Sequence, residues 1–125
     1  MGGNCLLIED DRDIALMYKH KLEREGWQVE LAFDGESGVE FATRLRPDVL
    51  LLDIMLPGID GFEVLEALRA DPRTRDVPVV VVSNSTGTAG KLDRARSLGV
   101  VDWLTKSSTT PNDLARRLNQ LALDP

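Results

Sequence analysis

The sequence has little of what secreted, membrane-spanning and nucleic-acid-binding proteins need. Its single cysteine, Cys5, cannot form an internal disulfide, which excludes a disulfide-stabilised secreted scaffold and favours a cytoplasmic location. Its longest apolar runs, at 48–56 and 77–83, are far shorter than the ~20 residues of a membrane helix, and residues 1–4 lack the basic start of a signal peptide. Basic residues number 15 against 21 acidic ones and form no stripe, so we expect no direct binding to nucleic acid or membranes. The excess of acid favours a cation as the small partner.

Length and composition indicate one folded domain. The chain has 125 residues, of which 42% are hydrophobic, and a net charge of -6. A chain of this length buries roughly two-thirds of its unfolded surface, which is enough for one core without disulfides or a metal. The sequence has no repeats, low-complexity tracts or linkers. We therefore expect residues 1–125 to form a single domain.

Short apolar runs alternate five times with longer segments whose apolar residues recur every three or four positions, the pattern of strands followed by helices. The predicted strands lie at 5–8, 28–32, 49–52, 79–82 and 100–105. Helices are predicted at about 12–24, after the caps Asp34 and Asp60, at about 91–98, and from Pro111 onwards. Residues 85–90 are small and polar, and we expect them to form a mobile loop.

Five strand-helix pairs predict an α/β fold of the doubly wound type. Parallel strands joined by right-handed crossovers place helices on both faces of the sheet, which gives three layers. The uninterrupted apolar run 49–52 is typical of a central parallel strand that helices cover on both faces. We expect a (βα)5 arrangement with a five-stranded parallel sheet in the flavodoxin-like order 2-1-3-4-5. In that order ligands bind at the carboxyl ends of strands one and three, where the strand order reverses.

Four carboxylates lie in the five positions that follow strand one. Asp11 is positioned to cap helix one, and Asp13 is a first-turn acid that the helix dipole favours. Glu9 and Asp10 have no such local explanation, and Asp53 follows strand three at the same edge of the sheet. Carboxylates held close together repel unless a proton or a cation neutralises them, and Mg²⁺ prefers hard oxygen ligands. The sequence therefore predicts a Mg²⁺ site, for which a solvated rim of acids at helix N-termini is the simpler alternative.

Two further polar residues lie at the ends of neighbouring strands. Ser83 follows strand four, and Lys106 follows strand five. A carboxylate such as Asp53 can attack phosphorus and form an acyl phosphate. Mg²⁺, Lys106 and Ser83 would then bind the three oxygens of the phosphoryl group. These residue types predict phosphoryl transfer to Asp53.

Three motifs occur together in the sequence: the Glu9-Asp10 pair, Lys106, and residues 47–61, which read PDVLLLDIMLPGIDG. In these motifs, and over nearly its whole length, the chain resembles the receiver domain of two-component response regulators. The resemblance implies that Asp53 is the phosphoacceptor and that Lys106 and Ser83 assist it. It further implies that the metal ligands are Glu9, Asp10, Asp53 and the backbone carbonyl of Met55, and that the switch residues are Ser83 and Trp103.

The resemblance also implies a function. A receiver accepts a phosphoryl group from the phosphohistidine of a sensor histidine kinase or a phosphotransfer protein, in a Mg²⁺-dependent reaction. It is not an enzyme with a separate substrate, because it catalyses only its own phosphorylation and dephosphorylation. Phosphorylation switches the surface formed by helix four, strand five and helix five, which contacts a downstream protein partner. A homodimer is a second assembly that the resemblance allows. We expect residues 1–125 to be a single receiver domain, with no effector domain in this chain.

The first helix offers a docking face for the phosphoryl donor. Ile14, Met17 and Tyr18 recur at helical spacing beside the acidic pair, and Lys21 lies next to them. We expect Ile14, Met17 and Lys21 to contact the donor. Packing of these apolar side chains in the core is the alternative interpretation.

Three positions depart from the pattern of the family. Ser107 follows Lys106 where the family usually has a proline, and Asn84 stands where a small Ala or Gly is common. Trp103 replaces the usual Tyr or Phe and has no hydroxyl group. These departures leave a second interpretation open, in which the chain is a degenerate receiver that binds proteins without being phosphorylated.

Other readings of single residues carry less weight. A phosphatase of the haloacid-dehalogenase kind also uses an Asp after an apolar strand, but it needs a second Asp two residues later, where this chain has Met55. The only histidine, His20, lies on a predicted helix and is interpreted as a solvated side chain, not as a phosphotransfer residue. Cys5 lies in strand one and is interpreted as a small buried hydrophobic residue.

Overall fold

The computed structural model of the chain describes residues 3–84 and 87–123. Five parallel strands form one sheet in the order β2-β1-β3-β4-β5, which confirms the predicted topology. The strands are β1 (Asn4–Ile8), β2 (Gln28–Ala32), β3 (Val49–Leu52), β4 (Val79–Ser83) and β5 (Val100–Thr105). The helices are α1 (Arg12–Arg24), α2 (Gly35–Leu45), α3 (Gly61–Ala70), α4 (Ala89–Ser97) and α5 (Pro111–Leu123). A short 3-10 turn, Lys106–Ser108, joins β5 to α5.

Side-chain caps begin α2 and α3 where the sequence predicted them. The Asp34 side chain accepts a hydrogen bond from the backbone N–H of Ser37 at 2.7 Å. Asp60 and Glu63 form a reciprocal capping box, in which each carboxylate accepts a hydrogen bond from the backbone N–H of the other residue, at 2.9 and 3.2 Å. Each cap satisfies backbone N–H groups that have no partner inside the helix. These helices therefore begin at residues that local chemistry determines.

The start of α4 differs from the prediction. The helix begins at Ala89 and ends at Ser97, whereas the sequence pattern indicated about 91–98. The hydroxyl of Thr88 accepts a hydrogen bond from the backbone N–H of Lys91 at 3.3 Å, so Thr88 is the cap and Ala89 is already helical. The expectation of a mobile loop at 85–90 was therefore wrong for its last two residues, and its residues 85 and 86 lie outside the described part of the chain.

The core has two layers, one on each face of the sheet. Successive strand residues point to opposite faces, so Leu50 and Leu52 pack under α2 and α3, while Leu51 packs on the side of α1 and α5. All four residues of β3 and all five of β4 are buried. Burial of each apolar side chain in these strands contributes roughly 1.5–3 kcal/mol to folding. This central pair of strands holds the carboxyl edge of the sheet in a fixed position.

Candidate functional site

The ends of β1 and β3 place two carboxylates side by side. The strands pair through Ile8 and Leu52, and the ladder continues for one residue, because the N–H of Asp53 donates to the carbonyl of Ile8 at 3.0 Å. Glu9 is tied to β2 in the same way, through a 3.0 Å bond from its N–H to the carbonyl of Ala32. Only 2% of Glu9 and 4% of Asp53 is exposed. Two acids are thus buried at the point where the strand order reverses.

Lys106 bridges these two carboxylates. Its Nζ lies 2.5 Å from Oε1 of Glu9 and 3.1 Å from Oδ2 of Asp53. The second oxygen of each acid accepts a backbone hydrogen bond, Glu9 from the N–H of Asp11 at 3.1 Å and Asp53 from the N–H of Met55 at 3.0 Å. One cation therefore faces two anions, and all four carboxylate oxygens have a donor.

The pKa values of this cluster reflect its burial and its excess of negative charge. Burial raises the pKa of Glu9 to about 6 and the negative charge of Asp53 adds to the rise, while hydrogen bonds from Lys106 and the Asp11 amide oppose it. Burial alone would lower the pKa of Lys106, but its bonds to Glu9 and Asp53 outweigh that effect and the pKa is raised. Lys106 is therefore charged at neutral pH, and the cluster favours a further cation.

The acids of this cluster fit a divalent metal ion. Glu9, Asp10 and Asp53 each offer an oxygen atom, and these atoms lie within 4.8 Å of one another. Asp10 is exposed, so the cluster opens to water on that side. Hard oxygen ligands from a few carboxylates, completed by water, are the set that Mg²⁺ prefers. The backbone N–H of Met55 donates a hydrogen bond to Asp53 of this cluster. The role of the Met55 carbonyl as a metal ligand stays a prediction.

The residues expected to act as a switch lie on β4 and β5. Ser83 is fully buried at the end of β4 and pairs with Thr105 of β5. Trp103 is half-buried and packs against Phe62, with ring centroids 6.4 Å apart. Gly87 lies directly over the indole, where a Cβ would come within 3.2 Å of Cζ2 of Trp103, and its φ of +79° favours glycine. Trp103 thus lies against Gly87, four residues after Ser83.

The face of α1 differs in part from the prediction. Met17 is 47% exposed, Ile14 and Lys21 are half-buried, and Lys21 forms an ion pair with Glu25 at 3.8 Å. Tyr18 is only 3% exposed, so its assignment to an exposed apolar face was wrong. The reason is that Tyr18 belongs to the buried cluster that α1 forms with the sheet and with α5. Docking of a donor on the exposed residues stays a prediction.

The other residues singled out in the sequence lie where the pattern placed them. His20, Asn84 and Ser107 are exposed, and Ser107 lies in the turn before α5. Cys5 is buried in β1, and burial raises the pKa of its thiol to about 12. Asp11 caps α1 as predicted, since its Oδ1 accepts hydrogen bonds from the N–H groups of the next helical turn at 3.0 and 3.1 Å. Its second role, as an amide donor to Glu9, gives no signal in the sequence.

Comparison with known proteins places this geometry in a family. Residues 5–119 match the family described as Response regulator receiver domain. The chain is 40% identical over 111 residues to the DNA-binding dual master transcriptional regulator RpaA of Synechocystis, covering 89% of this chain and 46% of that protein. It is 39% identical over 108 residues to the response regulator PleD of Caulobacter vibrioides, covering 85% of this chain and 23% of that protein. The chain thus spans less than half the length of these two relatives.

Solved structures agree with the sequence relatives. The chemotaxis protein CheY4 of Vibrio cholerae superimposes with a TM-score of 0.88 at 27% identity, covering 97% of this chain and 99% of that one. The receiver domain of the Francisella response regulator 1452 gives a TM-score of 0.84 at 31% identity, covering 94% of both chains. Sequence and structure agree on one assignment: the chain belongs to the response regulator receiver domain family of two-component signalling.

Proposed function

We propose that this chain accepts a phosphoryl group on Asp53 from the phosphohistidine of a sensor histidine kinase or phosphotransfer protein. Receiver domains interact with such proteins, depend generally on Mg²⁺, and form a signalling family, not a classical enzyme family. The observation that carries the proposal is the position of Lys106, whose Nζ lies 3.1 Å from Oδ2 of the buried Asp53. A protonated amine beside a carboxylate nucleophile is positioned to bind the phosphoryl oxygens as they arrive.

Each residue of the cluster would have its own role in the transfer. A carboxylate oxygen of Asp53 forms a bond to phosphorus while the bond from phosphorus to the histidine nitrogen breaks, and the nitrogen keeps the electron pair. Lys106 and the hydroxyl of Ser83 bind oxygens of the transferring group. Glu9, Asp10, Asp53 and the Met55 carbonyl would hold Mg²⁺, which when bound neutralises phosphoryl charge. The chain modifies only itself, and hydrolysis of the acyl phosphate resets it.

The phosphoryl group would change the protein surface through Ser83. It adds about 1.5 to 2 negative charges and three acceptor oxygens at the end of β3. Ser83 and Lys106 are drawn towards these oxygens. Gly87, which follows Ser83 in the chain, contacts the ring of Trp103, so a shift of Ser83 would be passed to Trp103. We propose that this movement alters the face of α4, β5 and α5, which contacts a downstream protein or a second copy of the chain. The chain would act in this way as a cytoplasmic receiver domain.

Exposed Met17 and half-buried Ile14 and Lys21 of α1 form the proposed docking site for the donor. Ile14, Met17 and Lys21 lie on the helix that directly follows the acidic pair. Lys21→Glu should change the relative rates of transfer from a panel of phosphorylated donor proteins, while the rate with acetyl phosphate stays the same. Equal rates from every donor would contradict this docking site.

The degenerate alternative receives no support. The residues that phosphoryl transfer would require, Asp53, the acidic pair and the lysine, are all present, and Lys106 contacts both Glu9 and Asp53. Asn84 is exposed. The family assignment is likewise contrary to a phosphatase of the haloacid-dehalogenase kind.

Phosphoryl uptake tests the proposal. The protein is incubated with Mg²⁺ and acetyl phosphate, and its intact mass is measured for the wild type, Asp53→Asn and Asp76→Asn. Asp76 is a matched control, because its side chain is 91% exposed and lies far from the cluster in sequence. We expect one Mg²⁺-dependent phosphoryl adduct in the wild type and in Asp76→Asn, and none in Asp53→Asn. An adduct that persists in Asp53→Asn would refute the assignment.

A further inference from the structure

A second concave surface lies beside the edge of the sheet that carries Asp53, between the loop after β3 and helices α3 and α4. It encloses about 530 Å³. Ile54, Leu56 and Phe62 contribute an apolar floor, and the exposed side chain of Met55 contributes to the rim. Met55 is 62% exposed, which is high for a large hydrophobic residue. We call this surface the β3-α4 cleft.

The far wall of the β3-α4 cleft is cationic. Arg94 lies over the ring of Phe62 at 4.5 Å and forms an ion pair with Glu66 at 3.4 Å. Lys91, one turn earlier on α4, forms no ion pair within the described part of the chain. The one acid among the described lining residues is Asp60, and its Oδ1 already accepts the hydrogen bond that caps α3. Two basic side chains therefore line the cleft against one acid, and of the two only Arg94 has an ion-pair partner among the described residues.

We propose that the β3-α4 cleft binds a segment of a partner protein in which an apolar side chain is flanked by carboxylates. The apolar side chain would lie on Leu56 and Phe62 beside Met55, and the carboxylates would pair with Lys91 and Arg94. The volume suits one or two large side chains, and apolar contact next to complementary charge is a common basis of specific recognition. This inference goes beyond the proposed function, because it requires no phosphoryl transfer and applies equally to Asp53→Asn.

The test uses a synthetic probe peptide. A capped Glu-Glu-Leu-Phe-Glu-Glu peptide is titrated into the ¹⁵N-labelled protein, and the same peptide with Lys in place of every Glu is the control. We expect saturable shifts of the amides of Met55, Leu56, Phe62 and Lys91 with the acidic peptide only. Wild type and Asp53→Asn should respond alike, so that failure of this inference is distinguishable from failure of phosphoryl uptake.

Two matched pairs of variants make the test specific. Lys91→Glu should weaken binding by at least about tenfold, since it replaces an attraction by a repulsion. It should not unfold α4, because a Glu in the first turn of a helix is favoured by the helix dipole. Arg24→Glu makes the same change of charge on an exposed residue of α1 and should leave binding within about twofold. Met55→Gln should weaken binding, and Met17→Gln should not.

Four outcomes would overturn the inference. The first is the absence of saturable shifts in the β3-α4 cleft at a peptide concentration on the order of 1 mM. The second is equal binding of the Lys-flanked peptide, which would remove the argument from charge. The third is the same set of shifts on raising the protein concentration alone, which would assign the cleft to a second copy of the chain. The fourth is the same set of shifts with free glutamate, which would assign it to a small anion.

Discussion

Replacement of Glu9 by Gln should stabilise the metal-free protein above pH 6. The pKa of Glu9 is raised from 4.5 to about 6 in the folded protein, chiefly by burial, so the folded state binds this proton more tightly than the unfolded chain does. The contribution of Glu9 to stability therefore falls as the pH rises from 4.5 through 6, and above that range the charged form costs about 2 kcal/mol. A neutral Gln of similar shape does not carry this cost. The free energy of unfolding of Glu9→Gln should exceed that of the wild type by up to about 2 kcal/mol at pH 8, and match it near pH 4.

Urea denaturation followed by tryptophan fluorescence measures this difference. The experiment is run in EDTA between pH 4 and 8 on the wild type, Glu9→Gln and Glu40→Gln. Glu40 is an exposed residue of α2 with no ion pair within the described residues, and its replacement should change stability by less than about 0.5 kcal/mol. Added Mg²⁺ should reverse the order of Glu9→Gln and the wild type. Ligand at about 100 times its dissociation constant stabilises the wild type by about 2.7 kcal/mol, and the variant lacks one of the proposed metal ligands.

Two results would refute this reasoning. One is a Glu9→Gln protein that is less stable than the wild type at pH 8 in EDTA. The other is a difference between the two proteins that does not depend on pH, because the effect rests on a proton that only the folded state holds above pH 4.5.

Three further predictions concern the rest of the chain. Arg69 donates hydrogen bonds to five backbone carbonyls, three of them shorter than 3.0 Å, so Arg69→Met should lower the unfolding free energy by about 3 kcal/mol. Arg75→Met, on the exposed surface, should cost less than about 1 kcal/mol in the same urea titration, and equal losses would contradict the account. Asp60→Ala removes the capping box of α3 and should cost about 1 kcal/mol, measured by thermal unfolding; an unchanged midpoint would exclude this role. Because burial raises the pKa of Cys5 to about 12, iodoacetamide at pH 8 should alkylate it only at the rate of unfolding, and faster alkylation would show local access.

Much of the fold could be predicted because its determinants are local. The caps at Asp34 and Asp60 depend on a side chain and the backbone within three residues, and the buried strand β3 is an uninterrupted apolar run. The start of α4 was missed because the small residues around Ala89 are typical of a loop, and the Thr88 hydroxyl decides the helix start. The burial of Tyr18 was missed because it depends on packing with the sheet and with α5, which are distant in sequence.

The candidate site, like the fold, could be predicted from the sequence only in part. The residue types that follow the strands are visible in the sequence, and parallel pairing brings Glu9, Asp53 and Lys106 together. The backbone amides that hold the two carboxylates give no signal, because every residue has one. The β3-α4 cleft is also invisible in the sequence, since Met55 and Lys91 belong to segments that only the fold brings together.

The most direct test of the central claim identifies the modified atom itself. The protein is incubated with Mg²⁺ and acetyl phosphate and then reduced with borohydride, which converts an aspartyl phosphate to homoserine but leaves free carboxylates unchanged. Peptide sequencing by mass spectrometry then locates the homoserine. The account predicts homoserine at position 53 alone, and only when Mg²⁺ is present. Homoserine at another acid, or a phosphoryl adduct on the protein with an unchanged Asp53, would contradict it.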